Sequence, residues 1–339
     1  MYLYLIYLYF IALDAKYLSY FPSDECSKQA FVYCHISVTL LYCKIVDFIV
    51  KNMGGGNDMS NIQQMHQLYG RLYDALTQIR NTYSQDAVSF TAMEGCKYKS
   101  SKDTVGKDFR LMLVGRAVNG WDEYRGTGAN TKERFITSSL QNLLNDPAAL
   151  THGKDRFEWI AVDEEHNIAR NCVREGIDKE PCAVGDYCLS RPFWGYSKEI
   201  WDTLYGAVTS WRERWYQKIV WTNLYKIAPR KGGNPSEAWQ KMQREVCVEL
   251  LHAEIEFFNP THILFVTGTD WFQPFRGIFQ EVKERGVNHP SKKDANTVYA
   301  ELLAAYTTQA GTHCKVVVAC RPEMREKQAY VAQVSQFLR

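Results

Sequence analysis

The chain has 339 residues, with 40 Lys and Arg against 38 Asp and Glu and 46% hydrophobic residues. That length holds one large α/β domain or two small ones, and a net charge of +2 excludes recruitment of an acidic partner by global charge, leaving that task to a local basic patch. Ten cysteines without close regular spacing exclude a disulfide framework and point to buried free thiols in a reducing cytoplasm.

Residues 1–58 differ in character from the rest. The run "MYLYLIYLYFIAL" is apolar but too short to span a bilayer, and it has no basic leader. A second run, "AFVYCHISVTLLYCKIVDFIV", has span length but carries His35, Lys44 and Asp47. Met53 and Met59 offer alternative starts within "KNMGGGNDMSN". The segment reads as an over-extended or accessory N-terminus, with a membrane anchor as the opposing reading. No membrane partner is expected of the remainder. The glycines of "GGGND" mark a flexible break. One domain is expected over 59–339, with a helical lead-in over 59–107.

After the break, "MSNIQQMHQLYGRLYDALTQIRNTY" carries apolar residues at helical spacing, with Ser60 placed to cap it. From about residue 108, strand-like and helix-like runs alternate. The strand-like runs are "FRLMLVG", "FEWIAVD", "KIVWTN", "HILFVTG" and "CKVVVAC". The helix-like runs are "TKERFITSSLQNLL", "SKEIWDTLYGAVTSWRERW", "SEAWQKMQREVCVELLHAEIEFF", "FRGIFQEVKERG" and "EMREKQAYVAQVSQFLR". Several strands are apolar on both faces, as a helix-covered parallel sheet requires. The expected fold is a three-layer α/β/α sandwich around a mostly parallel sheet, with a helical N-terminal extension.

In such folds the chemistry collects beyond the carboxyl ends of the strands. The segments there are "GRAVNGWDEYRGTG", "DEEHN", "TNLYKIAPRKGG", "GTDWFQPF" and "CRPEMREK", which bring polar, aromatic and basic groups to one rim. No dinucleotide glycine fingerprint follows the first strand, and there is no P-loop and no Gly-x-Ser-x-Gly elbow. No cofactor is therefore expected. Cys172, Cys182 and Cys188 lie near His166 in sequence but form no Cys-x-x-Cys knuckle, so no metal is expected either. The stretch "WRERWYQKIVWTNLYKIAPRKGG" holds six Lys and Arg against one Glu, with interleaved Trp and Tyr. It is the best nucleic-acid signal in the chain. Its helical and buried portions leave Lys226, Arg230 and Lys231 as the expected DNA-binding patch, against the plainer reading of a solvated loop.

Taken in order, these strand ends resemble the uracil-DNA glycosylase superfamily. "VGRAVNGW" stands where that family's first motif belongs. "VWTNLYKIAP" is similar to its strand ending in a base-reading Asn, "NPTHILFVTG" to its penultimate strand, and "VVVACRPEMREKQAYV" to its last motif. The resemblance spans Phe109 to Arg339 and rests on order and spacing. Three departures stand out. Val118 replaces the family proline, the acidic or amide residue is displaced to Asn119 or Asp122, and Arg321 replaces the family histidine. His289 in "NHPSKK" is a rival for that last position, ranked lower because it follows a helix-like run. The departures point to a bulkier base than uracil. Together with the long insert "DEEHNIARNCVREGIDKEPCAVGDYCLSRPFWGY", they are compatible with the prokaryotic anti-phage DNA glycosylases, which excise glucosylated hydroxymethylcytosine.

The resemblance implies a cytoplasmic hydrolase that flips a modified base out of double-stranded DNA and leaves an abasic site, with no obligatory protein partner. Flipping costs a few kcal/mol and is helped by a shaped pocket. Asn119 or Asp122 would orient water, and Asp122 could also face the developing sugar cation. Arg321 would donate to the leaving base or to a phosphate. Asn223 offers both a donor and an acceptor to a base edge, with Gly115 and Ala117 beside it. Phe193 or Trp194 would stack on the base, with Trp121 and Trp271 as further candidates. Arg116 and Arg325 would hold the DNA backbone or a sugar hydroxyl. Each has a plainer reading: Asn119 as a turn residue, Asp122 as a helix cap, Arg116 as a surface ion pair, the aromatics as core. A uracil or deaminated-base repair enzyme and a catalytically silent binding module on the same fold are the competing functions.

Overall fold

The computed structural model describes residues 56–84, 86–95, 97–99, 107–117, 131–143, 192–206, 215–286, 297–323 and 325–339. The chain divides after Ser60, and Asn61–Arg339 is one compact unit. Its seven-stranded mixed sheet contains β2 (Met93–Glu94), β3 (Leu111–Ala117), β4 (Ile219–Tyr225), β6 (His262–Val266), β7 (Gln280–Glu284), β8 (Ala300–Thr307) and β9 (His313–Ala319). The spatial order is β2-β4-β3-β6-β9-β8-β7. The central four, β4-β3-β6-β9, are parallel, while β2 and the β8–β7 pair flank them antiparallel. A separate antiparallel pair joins β1 (Ala87–Ser89) to β5 (Ile227–Pro229).

The parallel strands are apolar on both faces because helices cover both. On one face Met112, Val114, Val220, Leu224, Ile263, Phe265, Val316 and Val318 join α1 (Gly56–Tyr83), α2 (Lys132–Leu143) and α4 (Glu237–Phe258) in one core. On the other, Leu111, Leu113, Ile219, Trp221, Leu264, Val266, Val317 and Ala319 join α3 (Pro192–Tyr205) and α6 (Lys327–Leu338). The alternation is the period-two rule of a strand applied twice. Both ends of α4 are set locally. Ser236 Oγ accepts from Trp239 N, and Asn259 closes the helix in the left-handed region at φ 48°, just before Pro260. Glu326 caps α6, accepting from Gln328 N and Ala329 N.

Several expectations are corrected. The run expected as a helix over "FRGIFQEVKERG" is a short 3-10 turn (Gln273–Ile278) and then the edge strand β7. Its Gln-Glu-Val-Lys-Glu sequence is largely solvent-facing, as an edge strand guarded by charge should be. β8, "AELLAAYT", has helix-favouring composition and gave no strand signal, yet it pairs along its whole length with β9; tertiary pairing overrides propensity here. Ser60 lies inside α1, which begins at Gly56, rather than capping it. The expected helical lead-in over 59–107 contains β1 and β2 as well as α1. α3 starts before Ser197 and closes at Tyr205, ahead of Gly206. The expected strand "FEWIAVD" lies outside the described residues.

Among the described residues no helix is long and apolar enough to cross a membrane. Cys247, Cys314 and Cys320 are buried and unbridged. Burial pushes the Cys247 and Cys314 thiols up to about 12, which keeps them protonated and inert.

Glu94 on β2 is almost fully buried, and burial raises its carboxyl to about 7 against the opposing pull of Lys99. The folded state therefore binds this proton more tightly than the unfolded chain. Its contribution to stability is complete below about 4.5, is lost as pH rises, and is gone above about 7. Glu94→Gln should stabilise the protein by up to about 3 kcal/mol at pH 8. The gain should vanish near pH 4.5, as denaturant titrations at both pH values would show. An equal gain at both would mean the carboxyl is not what burial penalises.

Candidate functional site

The chain visits the parallel strands in the order β3, β4, β6, β9, but β3 lies between β4 and β6. The next parallel strand after β3 therefore lies on one side and the next after β6 on the other, so the carboxyl ends of β3 and β6 form the switch point where open α/β sheets bind ligands. Residues at the ends of β3, β4, β6 and β9 meet at this rim.

Two residues face each other across the β3–β4 ladder: Gly115 is the register partner of Asn223. Asn223 is buried, and its Nδ2 has no hydrogen-bond partner among the described residues. A Cβ built on Gly115 would overlap Asn223 Oδ1 and would sit 3.6 Å from Phe193 Cε2. Glycine is thus required for the amide to lie over the strand. Phe193, in the first turn of α3, is only partly buried and closes the same space. A buried amide with a spare donor, a bare backbone beneath it and a half-buried ring beside it can receive a planar polar group. An unfilled buried donor costs about 1–3 kcal/mol, so a ligand acceptor there has something to offset.

The next residue of β3, Arg116, belongs to a second cluster. Its Nε donates to Thr267 O at 2.6 Å, crossing from β3 to the exit of β6. Its guanidinium lies 5.0 Å over the Trp271 ring. Trp271 in turn meets Tyr225, at the end of β4, edge to face at 5.7 Å. Burial, then the neighbouring Arg321 charge, lowers the Arg116 guanidinium to about 10, despite opposing pulls from Glu323, Glu301 and Asp270. Gly268, at φ +78°, makes the turn out of β6, and Glu301 Oε2 accepts both Thr269 N (2.8 Å) and Thr269 Oγ1 (2.7 Å). Arg321 follows β9 and grips Glu323, with Nε donating to Oε2 at 2.9 Å.

The structure thus brings together Gly115, Arg116, Ala117, Asn223, Phe193 and Arg321 at one edge of the sheet. Ala117 is half-buried and pairs with Tyr225. Arg325 lies on the loop after β9, where its carbonyl accepts from Tyr196 Oη at 2.9 Å.

Two expected roles are corrected. Trp194 is core, 5.0 Å from Trp221 and 6.3 Å from Trp215, so Phe193 rather than Trp194 is available for stacking. Lys226 cannot reach DNA. It is fully buried, donating from Nζ to Glu254 Oε2 at 2.8 Å and to Thr222 Oγ1 at 2.5 Å. Arg230 is paired with Asp86, and Lys218 donates to Tyr205 Oη, which leaves Lys231 as the exposed cation of the expected patch.

Asn119, Asp122, Trp121, His289 and the Cys172, Cys182, Cys188 and His166 group lie outside the described residues. Among the described residues no cluster of three His, Cys, Asp or Glu could hold a metal ion.

Glu301 and Glu323 were not singled out from sequence. Glu301 sits in the unrecognised strand β8. Glu323 was hidden in a generally charged segment, where the only signal was its two-residue spacing from Arg321.

No protein-family model matches the chain, and no curated protein matches it.

Two stability predictions follow from the geometry. Gly115→Ala should lower the melting temperature by the equivalent of about 1–3 kcal/mol, the usual cost of overpacking. An unchanged melt would mean that Asn223 swings aside freely. Lys226→Met alone should cost about 3–5 kcal/mol by stranding Glu254, whereas Lys226→Met with Glu254→Leu should recover most of that loss. A double variant as unstable as the single one would show that the pair itself, and not the stranded charge, holds β4.

Proposed function

We propose that the protein is a DNA glycosylase of the uracil-DNA glycosylase type, with the three-layer α/β/α architecture of that superfamily. It would cleave the N-glycosidic bond of a flipped modified base in double-stranded DNA and leave an abasic site. One observation carries the reading: the buried Asn223 amide, whose Nδ2 has no partner among the described residues, lies over Gly115 and beside Phe193 near the carboxyl ends of β3 and β4. Asn is suited to a base edge because its amide both donates and accepts. The sequence order of the strand-end motifs supports the same reading.

In this mechanism Phe193 stacks on the extruded base while Asn223 Nδ2 donates to an acceptor on its edge. Bond cleavage builds positive charge on the sugar and negative charge on the departing base. Asn119 or Asp122 orients the attacking water, and Arg321 donates either to the leaving base or to a phosphate of the same nucleotide. We infer glucosylated hydroxymethylcytosine as the substrate and defence against phage as the role. The support is the loss of the uracil-type residues at Val118 and Arg321 and the long insert before α3.

The test is base release from duplexes carrying cytosine, uracil, hydroxymethylcytosine or its glucosylated form, read as alkali-sensitive strand breaks. Breaks at the glucosylated base alone are expected. Asn223→Ala should reduce kcat/KM by about 10²-fold or more. Asn119→Ala or Asp122→Ala should stop release without weakening DNA binding. Breaks at uracil would make this a repair enzyme. Tight binding with no breaks at any base would sink the enzymatic reading in favour of a binding module.

A further inference from the structure

We propose that Arg116 and Arg321 form a seat for one phosphate group, and that Glu323 occupies part of it as a built-in competitor. The seat lies beyond the base-reading residues and rests on the glycosylase reading only for the source of the phosphate.

Arg116 is held in the manner of a fixed receptor. Its Nε is used by Thr267 O, and its flat face is used by Trp271. The guanidinium therefore cannot swing, yet its two terminal nitrogens make no hydrogen bond among the described residues, and no carboxylate there is in ion-pair contact with it. Gly268 keeps the approach open, since a Cβ at that position would come within 3.3 Å of Arg116 Nη2. A half-buried cation beside a like charge is unfavourable until a counter-ion joins it. The depressed affinity of Arg116 for its proton reports that condition, with burial as its largest cause and Arg321 second.

The nearby acids do not fill the role. Glu301 spends its Oε2 on Thr269, and Asp270 acts on Arg116 only at longer range. Glu323 neutralises Arg321 instead, through both Nε and Nη2. That pair is more than a third exposed and spans only two residues of a loop. Exposed pairs of this kind contribute about 0–1 kcal/mol, so an incoming anion displaces Glu323 at small cost. Arg116 reaches Thr267, and the next residue, Gly268, donates from its N to Ala319 O at 2.9 Å, two residues before Arg321; two guanidinia placed at neighbouring strand exits in this way can share the oxygens of one tetrahedral anion. Their planar forks match phosphate geometry in a way that lysines would not. The phosphate could belong to a nucleic-acid backbone or be free, and the same seat would serve both.

The test uses the full chain and a labelled oligonucleotide of the four ordinary bases, so that it does not depend on which base is excised. Inorganic phosphate is titrated separately and read by thermal shift. Arg116→Gln should weaken oligonucleotide binding about tenfold and lower the salt slope by about one. Glu323→Gln should tighten it about threefold, the size expected when an exposed competitor pair is removed. Arg116→Lys, which keeps the charge and loses the fork, should fall between wild type and Arg116→Gln, and it carries the test if the glutamine variant folds poorly. Stabilisation by inorganic phosphate that Arg116→Gln abolishes, without an effect on the oligonucleotide, would place a free phosphate in the seat and still support it. The proposal is overturned if wild type, Arg116→Gln and Glu323→Gln bind both ligands alike. Loss of base release with these binding differences intact would overturn the glycosylase reading alone.

Discussion

The site depends on the register of β3 against β4. Because side chains alternate across a strand, a slip of one residue would exchange the contents of the two faces. In the observed register Asn223 faces α3 and lies over Gly115, while Thr222 and Leu224 face α4. The anchor for that register is the buried group on the α4 side. Thr222 donates to Glu254, Lys226 closes the triangle, and Gln243 holds Ile227 through both its backbone N–H and its carbonyl. These are polar contacts in a dry core, where each unmade bond is expensive, so alternative registers are heavily penalised. The charge that looked like a DNA contact in the sequence instead fixes the strand that carries Asn223.

The same alternation explains why neighbouring residues on β3 serve different ends. Gly115 and Arg116 point to opposite faces. Gly115 yields its face to Asn223 and Phe193, and Arg116 reaches the exit of β6 on the other. The Arg116–Thr267 hydrogen bond ties β3 to β6 beyond the last backbone pair between them. Trp271 carries the tie onward to Tyr225 and hence to β4. Three parallel strands are thereby tied at their carboxyl ends: β3 and β4 stay paired as far as Ala117 and Tyr225, while the β3–β6 ladder stops at Val114 and Phe265 and the Arg116 side chain continues the link.

Much of this was legible in the sequence. The four parallel strands were legible because their residues are apolar on both faces, and α4 as the helix-like run beginning at Ser236, while its caps at Ser236 and Asn259 come from the structure. The rim itself was legible from the residues that follow each strand. What escaped notice had a common cause. β8 is rich in Ala and Leu and β7 in charge, and only the pairing of β8 to β9 and of β7 to β8 makes them strands; Glu301 was lost with them. Lys226 and Trp194 were misplaced because burial of a cation or an indole depends on partners remote in sequence, here Glu254 and Trp221. A run of positive charge next to a buried strand cannot by itself distinguish a solvent-facing patch from a core ion pair.

Unmatched polar groups lie on both faces of β3. Gln243, Glu301 Oε2 and Thr222 are matched near the strand ends, whereas Glu254 Oε1 is not. The Asn223 Nδ2 is buried and unmatched on one face of β3, and on the other the terminal nitrogens of the half-buried Arg116 make no hydrogen bond among the described residues. A folded chain tolerates such groups at a cost of about 1–3 kcal/mol each, and they persist where a partner arrives from outside. Under the proposed function, one nucleotide would place its base against the Asn223 amide and its phosphate against Arg116. Any displacement of the β3 end moves Gly115 and Arg116 together. On that proposal, recognition of base and backbone would be coupled through β3, which the Arg116–Thr267 bond ties to β6.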